Sequence, residues 1–193
     1  MDPLLGLVVG VALSAASGLR AFLPILLTCL AARAGYITLT PNMAWIASDT
    51  ALIALATAAA LEVAAYYVPW LDNLLDTVAT PIAMTAGVIL MAAVTPDLPP
   101  LVRWTLAVIA GGGTAGLVQL GTVLVRLKSS AVTGGLANPL LATGELLGAL
   151  ILAVLGLVVP VAALLGVALV LAVAVRRMGR FLRARRTAAA PQQ

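Results

Sequence analysis

Histidine is absent and cysteine occurs once, at Cys29. The first absence removes the commonest metal ligand and the usual base at neutral pH, and the second excludes a disulfide within the chain. No metal or other cofactor is therefore expected, and an enzyme acting on lipid is the weakest of the functional classes considered. Charge is scarce too, at 9% of 193 residues, while 63% are hydrophobic and mean hydropathy is +1.14. A soluble domain of this size has too little interior to hide that much apolar surface, which leaves the lipid bilayer as solvent.

In place of those residues the chain has long apolar runs. Six reach or approach the roughly 20 residues that a helix needs to cross hydrocarbon; they lie at 4–32, 46–67, 70–95, 101–126, 139–158 and 160–176. The last two meet at Val159-Pro160, and their joint length exceeds one crossing, which predicts a tight hairpin. Asp2-Pro3 reads as a helix start, with Asp as cap and Pro at the first position, rather than as part of a cleaved signal. Six crossings put both termini on one side. That side holds Arg126, Lys128 and six arginines from Arg176 to Arg186, against Arg33 and Arg103 opposite. The positive-inside rule makes it the cytoplasmic side of a bacterial inner membrane. Tyr36, Trp45 and Trp104 then mark outer ends, Tyr66, Tyr67 and Trp70 inner ends, and Phe22 mid-membrane.

The sequence also resembles itself. Gly18-Leu19 falls on Gly116-Leu117 and Thr40-Pro41 on Asn138-Pro139 at an offset of 98, and Val68-Pro69 falls on Val159-Pro160 at 91. The expected organisation is a three-helix repeat at 1–97, a second at 98–176, and a basic, partly disordered tail at 177–193. Three crossings per half is an odd number, so halves of one fold are inserted in opposite senses, as in many transporters. The expected fold is thus an all-α polytopic membrane protein with six transmembrane helices in two inverted repeats. Helices 1 and 4 are interrupted, the first by Ser14, Ser17, Gly18, Arg20 and Pro24, the second by Gly111, Gly112, Gly113, Thr114, Gly116 and Gln119.

Paired interruptions are the best sequence pointer to a solute site, because unwound backbone offers its polar groups. The competing use of these glycines is close packing, through spacings such as Gly6-xxx-Gly10 and Gly112-xxx-Gly116. Ionisable groups add a second pointer, since each is costly in hydrocarbon unless it faces water or a partner. At about 1.5 Å per residue, Glu62, Asp76 and Glu145 share a depth roughly 7 to 10 Å from the inner boundary. Arg20, about 24 Å up a straight helix, pairs with Glu62 or Asp76 only if its helix breaks. Asn138 joins the candidates through its repeat position, whereas Asp49 is expected at the interface.

SGLRAFLP at 17–24, Glu62 followed by VPWLDNLLD at 68–76, and GGLANPLLATGE at 134–145 resemble signature segments of a bacterial membrane family known as domain of unknown function 4126. The resemblance implies a multi-pass membrane protein and supplies no activity. In the family pattern an Asp-Lys pair stands where this chain has Tyr66-Tyr67, and a second acid where it has Leu146. The residues themselves predict a small transporter or channel for a cation, a proton or a proton-coupled solute, with its site between helices 1 and 4. The alternative is a non-transporting scaffold or assembly factor. The expected partners are the bilayer, anionic lipid at the Arg176 to Arg186 tail and a second copy of the chain, with no nucleic acid.

Overall fold

The computed structural model describes residues 3–95 and 98–169, with the side chains of 69–77 outside that description. The basic tail lies outside the described residues. The regular elements within them are all helical: α1 Pro3–Ser17, α2 Phe22–Arg33, a 3-10 segment Pro41–Ala47, α3 Asp49–Ala65, α4 Pro69–Val94, α5 Pro100–Leu106, a π-helical segment Ala107–Gly112, α6 Gly113–Thr133 and α7 Asn138–Val158, then α8 Pro160–Leu169.

Helix directions follow from who meets whom. Gly6 lies against Val94 and Gly10 against Met91. Ser14 Oγ donates to Gly87 O at 3.0 Å, and Ser17 Oγ to Ala83 O at 3.4 Å. Rising numbers on α1 meet falling numbers on α4, so the two are antiparallel. On α2, Phe22 sits by Glu62 and Arg33 pairs with Asp49 at 2.8 Å, which makes α2 antiparallel to α3. The chain entering α3 is tied to the far end of α4, where Thr40 N–H donates to Ala93 O at 2.9 Å. α3 is therefore antiparallel to α4, and α2 is parallel to it. The first apolar run is thus no single crossing. It is a hairpin of two short helices that reverses at Gly18–Ala21, with both open ends at the carboxyl end of α4.

α1 starts at the end of the bundle where α4 finishes, and α8 runs away from that end. One expectation is corrected. Pro24 lies in the first turn of α2, where its missing N–H costs nothing, and it does not orphan a carbonyl of a continuous helix. The fourth run departs from expectation in the other sense: Pro100–Thr133 continues as one 34-residue helix. The glycine-rich stretch widens into a π segment rather than breaking.

The widened segment makes a close contact with α4. A Cβ placed on Gly111 would stand 2.5 Å from Gly87 O, and one on Gly87 2.6 Å from Gly111 O. The two backbones touch, and only hydrogen fits at either position. Along the same seam Gly18 meets Ala115 and Val118 of α6, so α1, α4 and α6 form a closed contact. α7 runs antiparallel to α1, with Gly156 against Ala12 and Gly148 against Leu19. Beyond Val159-Pro160 the chain folds back, bringing Gly166 and Val167 beside Gly148 and Ile151; this is the hairpin the sequence predicts.

The outside is apolar: Leu101 is 81% exposed, Leu140 77% and Ile109 69%. By length and composition Pro100–Thr133 and Asn138–Val158 suffice to cross a membrane, and the bent pair Pro41–Ala47 and Asp49–Ala65 makes a third if it acts as one span. That is two or three candidate spans among the described residues, by length and composition.

The seam generates a paired prediction. Gly111→Ala overpacks it and lowers stability by about 1 to 3 kcal/mol. Gly113, whose added Cβ meets nothing within 4 Å, gains roughly 0.5 to 1 kcal/mol on conversion to Ala within a helix. Thermal unfolding of the two variants in detergent checks the contrast, and equal midpoints contradict it.

Candidate functional site

α2 begins on Ala21, whose methyl group cannot cap a helix. The turn before it is closed by local bonds, Leu19 N–H to Ala16 O at 3.0 Å and Arg20 N–H to Ala16 O at 3.1 Å. The next two amides therefore point into the protein without a partner from their own segment. Glu62, on the last turn of α3, supplies both acceptors: Ala21 N–H donates to Oε1 at 2.8 Å and Phe22 N–H to Oε2 at 3.1 Å. A carboxylate on the positive end of a helix dipole is a favourable placement. It makes Glu62 the long-range cap of the hairpin.

The reversal also delivers Arg20 to the acid layer. Its guanidinium, 2% exposed, lies 3.8 Å from the centroid of the Tyr66 ring. Nη2 donates to Ala142 O on α7 at 2.7 Å and stands 3.7 Å from Glu145 Oε2. Nε and Nη1 are buried without a hydrogen-bond partner. Among the described residues the acid that Arg20 meets is thus Glu145 rather than Glu62.

Glu145 is engaged from α6 as well. Arg126 Nε donates to its Oε1 at 3.0 Å and Nη2 to Oε2, a bidentate pair. Arg126 also sits over Tyr66, 4.4 Å from the ring centroid. Among the described residues the cluster therefore holds two guanidinium groups and two carboxylates, arranged about one aromatic ring. Next to it is a cavity of about 300 Å³, whose polar wall is Glu62, Tyr66 and Gln119 and whose apolar wall includes Phe22, Leu61 and Ile82.

Of the residues singled out in the sequence, Arg20, Glu62, Gln119 and Glu145 come together here. Ser14, Ser17 and Gly18 do not: they pack on α4 and α6. Gly112 lies against Val88, and Gly113 and Thr114 sit in the same π-to-α6 stretch away from the cluster. The expected site between helices 1 and 4 is at that level a closed contact. Asn138 starts α7, with Nδ2 donating to Ser130 Oγ at 3.1 Å. The Asp76 side chain lies outside the described residues.

Two members went unnoticed in the sequence. Arg126 looks like an interfacial anchor, yet it is 2% exposed, and Tyr66, read as a boundary aromatic, is 7% exposed. A sequence signal for the first did exist: Arg126 and Glu145 stand about equally far on either side of Gly134-Gly135, whose positive φ angles of 62° and 89° form the turn between α6 and α7.

Removing one member of a buried ion pair leaves an uncompensated charge, a loss of roughly 3 to 5 kcal/mol. Glu145→Gln is expected to destabilise to that degree, and Arg126→Met combined with it to recover part of the loss. A double-mutant cycle on unfolding midpoints measures this, and strict additivity contradicts a direct pair.

No curated protein and no solved structure matches the chain. A family described as Domain of unknown function (DUF4126) matches it over residues 7–180, and the chain belongs to that family.

Proposed function

We propose that this protein is an integral membrane transporter or channel for a small solute, with its site at the tip of the α1–α2 hairpin. The observation that carries the reading is a backbone reversal inside an apolar bundle, beside a cavity and a buried charged cluster. Helix ends at membrane depth are tolerated where they are buried in protein or line a cavity, and membrane transporters use such ends to hold solutes.

Helix directions support an inverted repeat in a revised form. α2, α3 and α4 run opposite to α6, α7 and α8 respectively, in the order in which the sequence repeats, and α1 stands outside the relation. The tail arginines and Lys128 favour the bacterial cytoplasm, near anionic lipid, for the α8 end, which gives the start of α1 the other side in this reading. A homodimer formed through exposed apolar faces completes the proposal.

A cation or proton path along a free acidic layer is the weaker version, because Glu62 and Glu145 both accept hydrogen bonds from the protein itself. A non-transporting scaffold is the second reading. The closed α1–α4–α6 seam favours it, and it leaves the cavity at Glu62 without a use.

Reconstitution into liposomes tests the reading, with a panel of cations, protons and small organic solutes. The expected result is flux of at least one member that falls about tenfold or more in Arg20→Gln, the loss of one charge-assisted contact. Silence across the whole panel, with folded and inserted protein, overturns transport and leaves the scaffold.

A further inference from the structure

Resting on the reading of the hairpin tip as a solute site, we propose that the cavity beside Glu62 binds an uncharged single-chain amphiphile. Its hydroxyl head meets the Gln119 amide, and its alkyl chain lies in the groove between α2 and α4.

Gln119 carries the polar half of the argument. It reaches from α6 into the wall of the cavity and is 5% exposed. Its backbone oxygen accepts from Thr122 Oγ1 at 2.9 Å, whereas among the described residues its side-chain amide has no partner. Neither amide atom is sealed behind other atoms, so the amide meets the cavity. A buried amide left unpaired forfeits hydrogen bonds that a ligand in contact with it supplies.

The chemistry of the head follows from what an amide needs. Its Oε1 accepts and its Nε2 donates, and a single hydroxyl answers both. An ammonium donates only and leaves Nε2 without an acceptor. A carboxylate accepts only, and it would stand beside the carboxyl group of Glu62, which lines the same cavity.

The chain of the amphiphile has its own place. The cavity meets a second hollow of about 270 Å³ at two shared walls, Phe22 and Ile82. Ile25, Pro81, Ala86 and Ile89 line that hollow, and the one hydroxyl there, on Thr85, is already spent on Pro81 O at 2.8 Å. From Ile82 to Ile89 the groove follows α4 for roughly 10 Å, the reach of a medium-length alkyl chain. Ile82 and Thr85 are exposed, so the groove opens on the apolar outside of the bundle and a chain enters it sideways from lipid. A polar contact at one end of an apolar slot suits an amphiphile better than an ion.

The test is photolabelling of the full chain in lipid nanodiscs with a diazirine analogue of 1-octanol, followed by mapping of the labelled peptides. Label is expected on Phe22, Ile82 or Ile89. An excess of 1-octanol is expected to remove it, whereas octane, octanoate and octylammonium at the same bilayer concentration leave it in place. Gln119→Leu, similar in size, is expected to lower the competed labelling about tenfold, the loss of two hydrogen bonds to the head. Label spread over the outer faces and indifferent to 1-octanol overturns the inference. Equal competition by octane overturns it too, since the head is then not recognised, and equal competition by either ion removes the uncharged head. The wild-type arms decide even if the variant does not fold. Flux of a different solute without competed labelling sinks this inference alone, whereas competed labelling without flux sinks transport alone.

Discussion

Two amides that open α2 inside the protein have no acceptor within their own segment, and the arrangement around the hairpin turns on the carboxylate that supplies one. An unpaired backbone N–H in a low-dielectric interior is costly, and Ala21 cannot cap itself. Glu62 resolves this from α3, which pins the carboxyl end of α3 to the hairpin turn. Because the turn is pinned there, Arg20 enters the layer of Glu145, and the pair Arg126–Glu145 becomes part of one cluster around Tyr66. The position of Arg20 follows from the reversal of the chain four residues wide.

The hairpin reaches that depth because α1 presents a narrow face. Gly6, Gly10, Ser14 and Ser17 recur at three- and four-residue spacing, which sets them in one line facing α4; Ser14 returns its hydroxyl proton to an α4 carbonyl, and Ser17 donates at 2.8 Å to Ser14 O of its own helix while lying 3.4 Å from Ala83 O. Those small side chains let the helices approach without leaving polar groups unsatisfied. The glycines that looked like a broken solute site in the fourth run serve the same seam from the other side, through Gly111 against Gly87. Packing and site are thus separate layers of one bundle: the glycines close it, and the charges one level below keep a cavity beside them.

Much of this was legible in the sequence. The interruption at Ser14 to Pro24, the common level of Glu62 and Glu145, the Val159-Pro160 hairpin and the apolar exterior all follow from composition, helical rise and the constraints on Pro. The reversal was not legible, because the turn is only Gly-Leu-Arg-Ala with apolar sequence on both sides. Such a run has the length of one tilted crossing. From that came the misplaced depth of Arg20. Arg126 was obscured by its place at the end of an apolar run, where arginines usually meet lipid headgroups. Only the turn at Gly134-Gly135 reveals that it faces Glu145.

The hairpin is the claim on which the rest stands, and a spin-label distance addresses it directly. With Cys29→Ser as background, labels go on Leu5→Cys and Leu30→Cys, both exposed positions near the open ends of α1 and α2. Two adjacent antiparallel helices hold these labels roughly 10 to 25 Å apart, side-chain reach included. A straight crossing through the same 25 positions separates them by about 38 Å. A single short distance in lipid nanodiscs is the result this structure predicts, and a single distance near the long value would contradict it.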